Sequence, residues 1–369
     1  MIKILSVFGT RPEATKMVPL VLALRDEPGI ESYLCVTAQH REQLDQVLNP
    51  CGVKPDYDLN IMTHGQSLGD ITNRVLTGLT PILAEVKPDL LLVHGDTTTT
   101  FAASLAAFYA KVSVGHVEAG LRTYDKYRPY PEEINRKLVS AIADLYFAPT
   151  NQARENLLKE NVPDNAIYVT GNTAIDFAKY AAREDYTFEC EALNRLDPTK
   201  RILLMTAHRQ ENLGKPMEAI CRAVRRLVDD FPDTLLVWPV HLNKAVTEVA
   251  HRLLSGHDRI LLTKPASPLD MINMMKRAYL LLTDSGGLQE EAPVFDLPVL
   301  VLREVTERPE GLAAGTLVLA GVDEAAIYSL GAKLLTDRTM YNKMAAAENP
   351  FGDGQASRRI IEAIKVYFS

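Results

Sequence analysis

Residues 112–123 read VSVGHVEAGLRT. The β-branched run Val112-Ser113-Val114 has the composition of a strand interior, yet His116 and Glu118 arrive at its far end, with Gly120 and Arg122 right behind. Strand ends reach solvent and tolerate charge, so one such carboxylate needs no special reason. The same pattern recurs along the chain, however, and the recurrence decides the fold. Short apolar runs at Ile2–Phe8, Tyr33–Thr37, Leu90–His94, Val112–Val117, Leu145–Ala148 and Ile167–Thr170 predict strands in the first half. Ile202–Thr206, Leu235–Pro239, Ile260–Thr263, Tyr279–Thr283 and Val299–Leu302 do so in the second. Longer amphipathic segments separate them. In Met217–Asp230 the residues Ala219, Ile220, Ala223, Val224 and Leu227 form the stripe of a helix packed on a sheet. Alternation of this kind predicts an α/β fold built of parallel sheets.

At 369 residues the chain is long for one core, and two domains are expected. The polar stretch Arg183–Lys200 reads as their connection. The expected architecture is two Rossmann-like domains facing across a cleft, 1–171 and 172–356, with a C-terminal helix at 357–369 crossing back to the first. Composition narrows the function. Net charge is −7, from 40 Lys+Arg against 47 Asp+Glu, and no basic block offers to neutralise phosphates of a nucleic acid. Cys35, Cys51, Cys190 and Cys221 form no C-x-x-C pair, which points away from zinc and from a disulfide framework. No apolar run approaches membrane-spanning length, and MIKILSVFG is too short for a signal peptide, so a cytoplasmic protein is expected.

In open parallel sheets ligands bind beyond the carboxyl ends of the strands. Those ends carry FGTRPEATK, GDTTTT, HVEAGLRT, TAHRQEN, PVHLN and TDSGGLQEEAP. Six polar strand ends in one chain predict a ligand site lined from both domains. Ser285-Gly286-Gly287 begins a helix, where free N–H groups suit an anion and glycine allows close approach. Glu291, one helical turn on, could accept from ribose hydroxyls. A capping serine followed by turn glycines is the local alternative. Arg11 and Lys16 are offered to a diphosphate, while Pro12 and Glu13 fit an ordinary helix start. Asp96 is either a helix N-cap or a functional carboxylate. Glu132 and Glu133 open a helix behind Pro131, and neighbours on a helix point about 100° apart, so at most one faces a given site. His208 beside Arg209 suits anion binding. The eight histidines show no H-E-x-x-H or H-x-H pair, so no metal is expected.

GTRPEATKMVPL, HGDTTTT, GHVEAGLRT, PYPEEINRK, TGNTAIDF, TAHR, PVHLN, LTDSGGLQEEAP and TERPEG, in this order, resemble the non-hydrolysing bacterial UDP-N-acetylglucosamine 2-epimerases along essentially the whole chain. The resemblance implies the GT-B architecture and interconversion of UDP-N-acetylglucosamine and UDP-N-acetylmannosamine with no added cofactor, supplying ManNAc units for cell-surface polysaccharide. UDP is eliminated to give 2-acetamidoglucal and then re-added. It further implies Asp96, Glu118 and Glu132 as catalytic carboxylates with His208 near the diphosphate. Arg11, Lys16, Ser285, Gly286, Gly287 and Glu291 resemble the UDP-binding set. Gln39, Arg209 and His241 match positions tied to a second UDP-N-acetylglucosamine bound as activator, with Glu42 standing where a glutamine can occur. A homodimer is implied in the same way. The competing readings are a hydrolysing epimerase releasing N-acetylmannosamine and UDP, a GT-B glycosyltransferase with a separate acceptor, and a UDP-sugar sensor without catalysis.

Overall fold

The computed structural model describes residues 1–369 as two compact α/β units. The first holds residues 1–180 and 352–369, and the second holds 181–351. The sequence reading set these boundaries at 171 and 356. They differ because helix Thr173–Ala181 lies in the first unit as far as Tyr180, as does the turn at Gly352, where a side chain would begin 3.3 Å from the Gly171 α-carbon.

The first unit contains strands β1 (Ile2–Phe8), β2 (Ile30–Val36), β3 (Tyr57–Asp58), β4 (Leu90–His94), β5 (Ser113–Val117), β6 (Leu145–Ala148) and β7 (Ile167–Val169). They pair in parallel in the order β3-β2-β1-β4-β5-β6-β7. The second unit repeats the plan with β8 (Arg201–Thr206), β9 (Thr234–Pro239), β10 (Ile260–Thr263), β11 (Leu280–Thr283), β12 (Val299–Val301) and β13 (Leu317–Leu319), ordered β10-β9-β8-β11-β12-β13. Both are Rossmann-like, and each order reverses once, at β1/β4 and at β8/β11. In open parallel sheets such reversals are where ligands bind, beyond the carboxyl ends of the strands. Every β4 residue is buried, as a strand covered on both faces requires.

Sequence and structure differ in detail. β2 begins at Ile30 because the polar Glu31 and Ser32 still pair with β1. The two-residue β3 carried no apolar run to be read, and β13, inside the run Leu317–Ala320, was passed over. Helix Lys215–Asp230 buries Met217, Ile220, Cys221, Ala223, Val224, Leu227 and Val228, in one core with Met205, Trp238 and Leu282. The stretch after Arg183 is no free linker, since Phe188 and Leu193 are buried in the second unit.

The C-terminal helix Ala356–Tyr367 lies in the first unit, and the buried Asp176 anchors it. Its carboxylate accepts from Ser357 N at 2.8 Å and Ala356 N at 3.2 Å, capping a helix whose own Gln355 does not. Asp176→Ala is expected to weaken this anchorage by about 1–2 kcal/mol. Hydrogen exchange should then speed up across residues 356–367 while β1 and β4 stay protected. Equal protection of the helix in both proteins would contradict the anchoring role.

Candidate functional site

Parallel register fixes the first half of the site. β4 and β5 run from Leu90 against Ser113 to His94 against Val117, so Asp96 and Glu118 emerge at the same sheet end. Glu118 has φ +63°, a left-handed conformation that a non-glycine residue adopts at roughly 1–2 kcal/mol. Such outliers cluster at functional positions. Its Oε2 pairs with the Lys16 ammonium, accepts from Asn172 Nδ2 at 3.1 Å, and lies 3.7 Å from His94 Nε2. Lys16, read as a diphosphate ligand, is therefore in contact with a carboxylate read as catalytic. Arg11, the first residue of helix Arg11–Asp26, has no side-chain partner.

Asp96 does not cap its helix. Thr97 does, its Oγ1 accepting from Thr100 N at 3.1 Å. The Asp96 carboxylate is instead held by Arg136, whose Nε and Nη2 donate to Oδ2 at 2.9 and 2.6 Å. The adjacent glutamates divide as helix geometry requires. Glu133 is fully buried and structural, accepting from Thr123 N and Tyr124 N at 3.0 Å each and lying 3.3 Å from Arg136. Glu132 is only partly buried, and its Oε2 is shielded from solvent without a hydrogen-bond partner.

Glu13 does more than complement a helix dipole. Its Oε2 accepts from Gly9 N and Thr10 N at 3.0 and 2.8 Å, and its Oε1 from the Thr97 and Thr100 hydroxyls at 2.8 and 3.2 Å. One buried carboxylate, its pKa raised by desolvation against these opposing bonds, thus ties the β1 loop to the β4 loop across the switch point. Thr99 Oγ1 donates to Gln39 Oε1 at 3.0 Å, joining Gln39 to the same turn. Glu42, exposed on helix Arg41–Leu48, has no such link.

Two histidines are buried in this unit. Desolvation pushes His94 down to about 3 and His116 down to about 4, and His116 Nε2 bonds Gly95 O at 2.7 Å. Both are neutral in the folded protein. The unfolded chain takes up protons near 6.5, so below that pH it binds more protons than the native state, and stability falls as pH falls. The loss runs from 6.5 down to about 4 for His116 and about 3 for His94. Each adds a slope of about 1.4 kcal/mol per pH unit. His116→Gln should remove one such contribution. Urea melts between about pH 6 and about pH 5 would report it, and an unchanged slope would contradict the assignment.

In the second unit the switch point lies between β8 and β11. The wholly buried Asp284 follows β11 and organises the loop after β8. Its Oδ2 accepts from His208 N and Arg209 N at 2.8 Å each and from Asn212 Nδ2 at 3.0 Å. Its Oδ1 has no hydrogen bond and lies 3.5 Å from His208 Nδ1. Burial lowers the His208 pKa, Asp284 opposes that, and the neighbouring His241 and Arg209 add to it. The His208 and His241 rings stack at 5.1 Å with 14° between planes. Ser285 occupies the N-cap position of the following helix without a side-chain capping bond. Arg308 and Arg209 guanidinium nitrogens approach to 3.5 and 3.8 Å of where a Gly286 side chain would begin. Arg308 also pairs with the buried Glu290. Glu291 follows, its Oε1 3.6 Å from the equivalent point on Gly287. Two arginines near a glycine turn can neutralise an anion, and the neighbouring histidine rings can hydrogen-bond to it.

The structure thus brings Asp96, Glu118 and Lys16 to one sheet end, and His208, Arg209, His241 and the 285–287 turn to another. The sequence reading passed over the partners that orient them: His94, Arg136 and Asn172 in one unit, Asn212, Asp284, Glu290 and Arg308 in the other. Arg136, three or four residues beyond Glu133 and Glu132 on a helix, was the one spacing could have found. No group of three or more His, Cys, Asp or Glu side chains is arranged to hold a metal ion, and no helix is long and apolar enough to cross a membrane.

Residues 22–365 match the family model described as UDP-N-acetylglucosamine 2-epimerase. The chain is 55% identical over 367 residues to the UDP-N-acetylglucosamine 2-epimerase of Bacillus subtilis, spanning 100% of this chain and 96% of that one. A co-structure of S. aureus MnaA with UDP is similar at TM-score 0.89 and 51% identity, over 100% of this chain and 97% of that one. The UDP-GlcNAc 2-epimerase of Neisseria meningitidis bound to UDP-GlcNAc is similar at TM-score 0.86 and 45% identity, over 99% and 100%.

Proposed function

Because the chain belongs to the UDP-N-acetylglucosamine 2-epimerase family, we propose that it interconverts UDP-N-acetylglucosamine and UDP-N-acetylmannosamine without hydrolysis. The observation carrying this reading is the Glu118 carboxylate, held at positive φ on the same sheet end as Asp96. A C2–H flanked by no carbonyl is barely acidic. Its removal therefore needs the C1–O bond to break as well, placing positive charge on the sugar and negative charge on UDP. Carboxylates near C1 and C2 stabilise the first and cations the second, as in glycoside cleavage. A carboxylate takes the C2 proton, and the C1–O electron pair leaves with UDP, giving 2-acetamidoglucal. UDP then re-adds at C1 while a proton is delivered to the other face of C2.

Asp96, Glu118 and Glu132 are assigned to the sugar. Arg11, Lys16, His208, the 285–287 turn and Glu291 are assigned to UDP. Inversion at C2 calls for acid–base groups on two faces, and an unpartnered Glu132 Oε2 in addition to the engaged Glu118 and Asp96 supports more than one. Gln39, Glu42, Arg209 and His241 stay assigned to a second UDP-N-acetylglucosamine acting as activator. Since Arg209 and His241 flank His208, that molecule would share a wall with the diphosphate. A cytoplasmic homodimer supplying ManNAc units for surface polysaccharide completes the reading.

Proton NMR of the protein with UDP-N-acetylglucosamine in D2O tests it. A UDP-N-acetylmannosamine anomeric signal, deuterium at C2 and little free sugar are expected. Accumulating N-acetylmannosamine and UDP would replace the reading with hydrolysis. Bound UDP-sugar without exchange would leave a sensor or a transferase lacking its acceptor.

A further inference from the structure

The Glu118 carboxylate has a third polar neighbour that does not yet bond it. His94 ends β4 at 3% exposure, and its Nε2 is buried, without a hydrogen bond, 3.7 Å from the Oε2 that Lys16 and Asn172 hold. Leaving a buried polar group unsatisfied is costly, so this arrangement calls for a reason. We propose that substrate binding transfers Glu118 from Lys16 to His94: the diphosphate draws the ammonium away, and the His94 Nε2–H then closes on Oε2. The proposal rests on the epimerase reading.

Lys16 is the member able to leave. Its ammonium ends a flexible four-carbon stem on the helix that begins with Arg11, and a diphosphate offers it more negative charge than one carboxylate. His94 differs in kind, because burial pushes it down to about 3 and keeps it neutral. Titratable groups facing Glu118 include Lys16 from that helix, His94 from β4 and His116 from β5, and His116 is also neutral. Arg122 and Arg136 act on His116 but are bound to Glu160 and Asp96. After Lys16 moves, Glu118 is oriented by Asn172 and a neutral donor, with no ammonium in contact. An adjacent cation favours the ionised carboxylate, so its removal makes the carboxylate a better base once substrate is present. His94 is a positioning residue here and takes no proton itself.

His94→Gln keeps an N–H near the Nε2 position, and His94→Leu removes it. The leucine variant should lose about 10- to 100-fold in kcat with KM nearly unchanged, and glutamine should restore most of it. In 15N-labelled protein the His94 Nε2 resonance should move on saturation with UDP, and Lys16→Met should show the moved signal without UDP. Equal losses in the glutamine and leucine variants, or a resonance indifferent to UDP, would overturn the proposal. If the leucine variant does not fold, the resonance in wild type and Lys16→Met decides. That measurement needs only UDP binding, so it stands even where wild type leaves UDP-N-acetylglucosamine unconverted, a result that would remove the epimerase reading alone.

Discussion

Replacing Glu118 by glutamine is expected to lower the conversion of UDP-N-acetylglucosamine by about 10²- to 10⁴-fold, the range a positioned acid–base group contributes. The substitution keeps the side chain's length and its ability to accept from Asn172 Nδ2, so the strand end should hold its shape. What it removes is the negative charge on Oε2 and with it the partner of Lys16. UDP affinity should therefore be unchanged or somewhat tighter, because Lys16 no longer has to leave an ion pair. A variant that converts substrate normally would show that Glu118 is only a scaffold. One that loses UDP binding along with activity would place it among the ligand contacts rather than the proton-transfer groups.

Gly120→Ala is expected to cost about 2–5 kcal/mol of stability, two residues away and for an unrelated reason. Gly120 has φ +91°, and an added Cβ would lie 2.2 Å from Ala153 O, 2.8 Å from Ala153 C and 3.0 Å from Leu157 Cγ. The first two are backbone atoms of helix Asn151–Lys159 and cannot swing aside. Asn156 Nδ2 already ties that helix to Gly120 O at 3.0 Å. Gly256→Ala is the control, with φ +77° and nothing within 4 Å, so it isolates the conformational penalty of about 1–2 kcal/mol. Urea melts of the two variants separate the terms. Equal losses would mean that the helix gives way and the close approach carries no energy.

Together these residues answer the question VSVGHVEAGLRT raises. Glu118 carries the proposed chemistry, Gly120 lets a helix approach, and Arg122 is a buried anchor, donating to Glu160 at 2.7 and 2.8 Å and to Ser140 at 2.8 Å. Strands such as Leu90–His94 were legible because burial on both faces leaves an unbroken apolar run. Tyr57–Asp58 was not, since two half-exposed residues pair with β2 without any hydrophobic signature. Asp96 was ambiguous because Asp and Thr are both N-cap residues in an isolated DTTTT, and only Arg136, 40 residues on, shows the carboxylate engaged elsewhere. Asn172 reaches Glu118 across 54 residues and Asp284 reaches His208 across 76. Those distances are set by sheet order, and no local periodicity encodes them.

The chain order of the two units has a consequence for how the protein is made. The first unit is interrupted: its last helix waits on the synthesis of all of residues 181–351, which form a unit of their own. A nascent chain therefore completes the second sheet while Asp176 still lacks the backbone N–H groups it will hold. The interruption is also narrow, since Lys179 Nζ donates to Asp353 O at 2.7 Å just across it. In topological terms the second unit is an insertion between two neighbouring points of its host. Excising it and joining Tyr180 to Gly352 is the natural route to the carboxylate-bearing half alone.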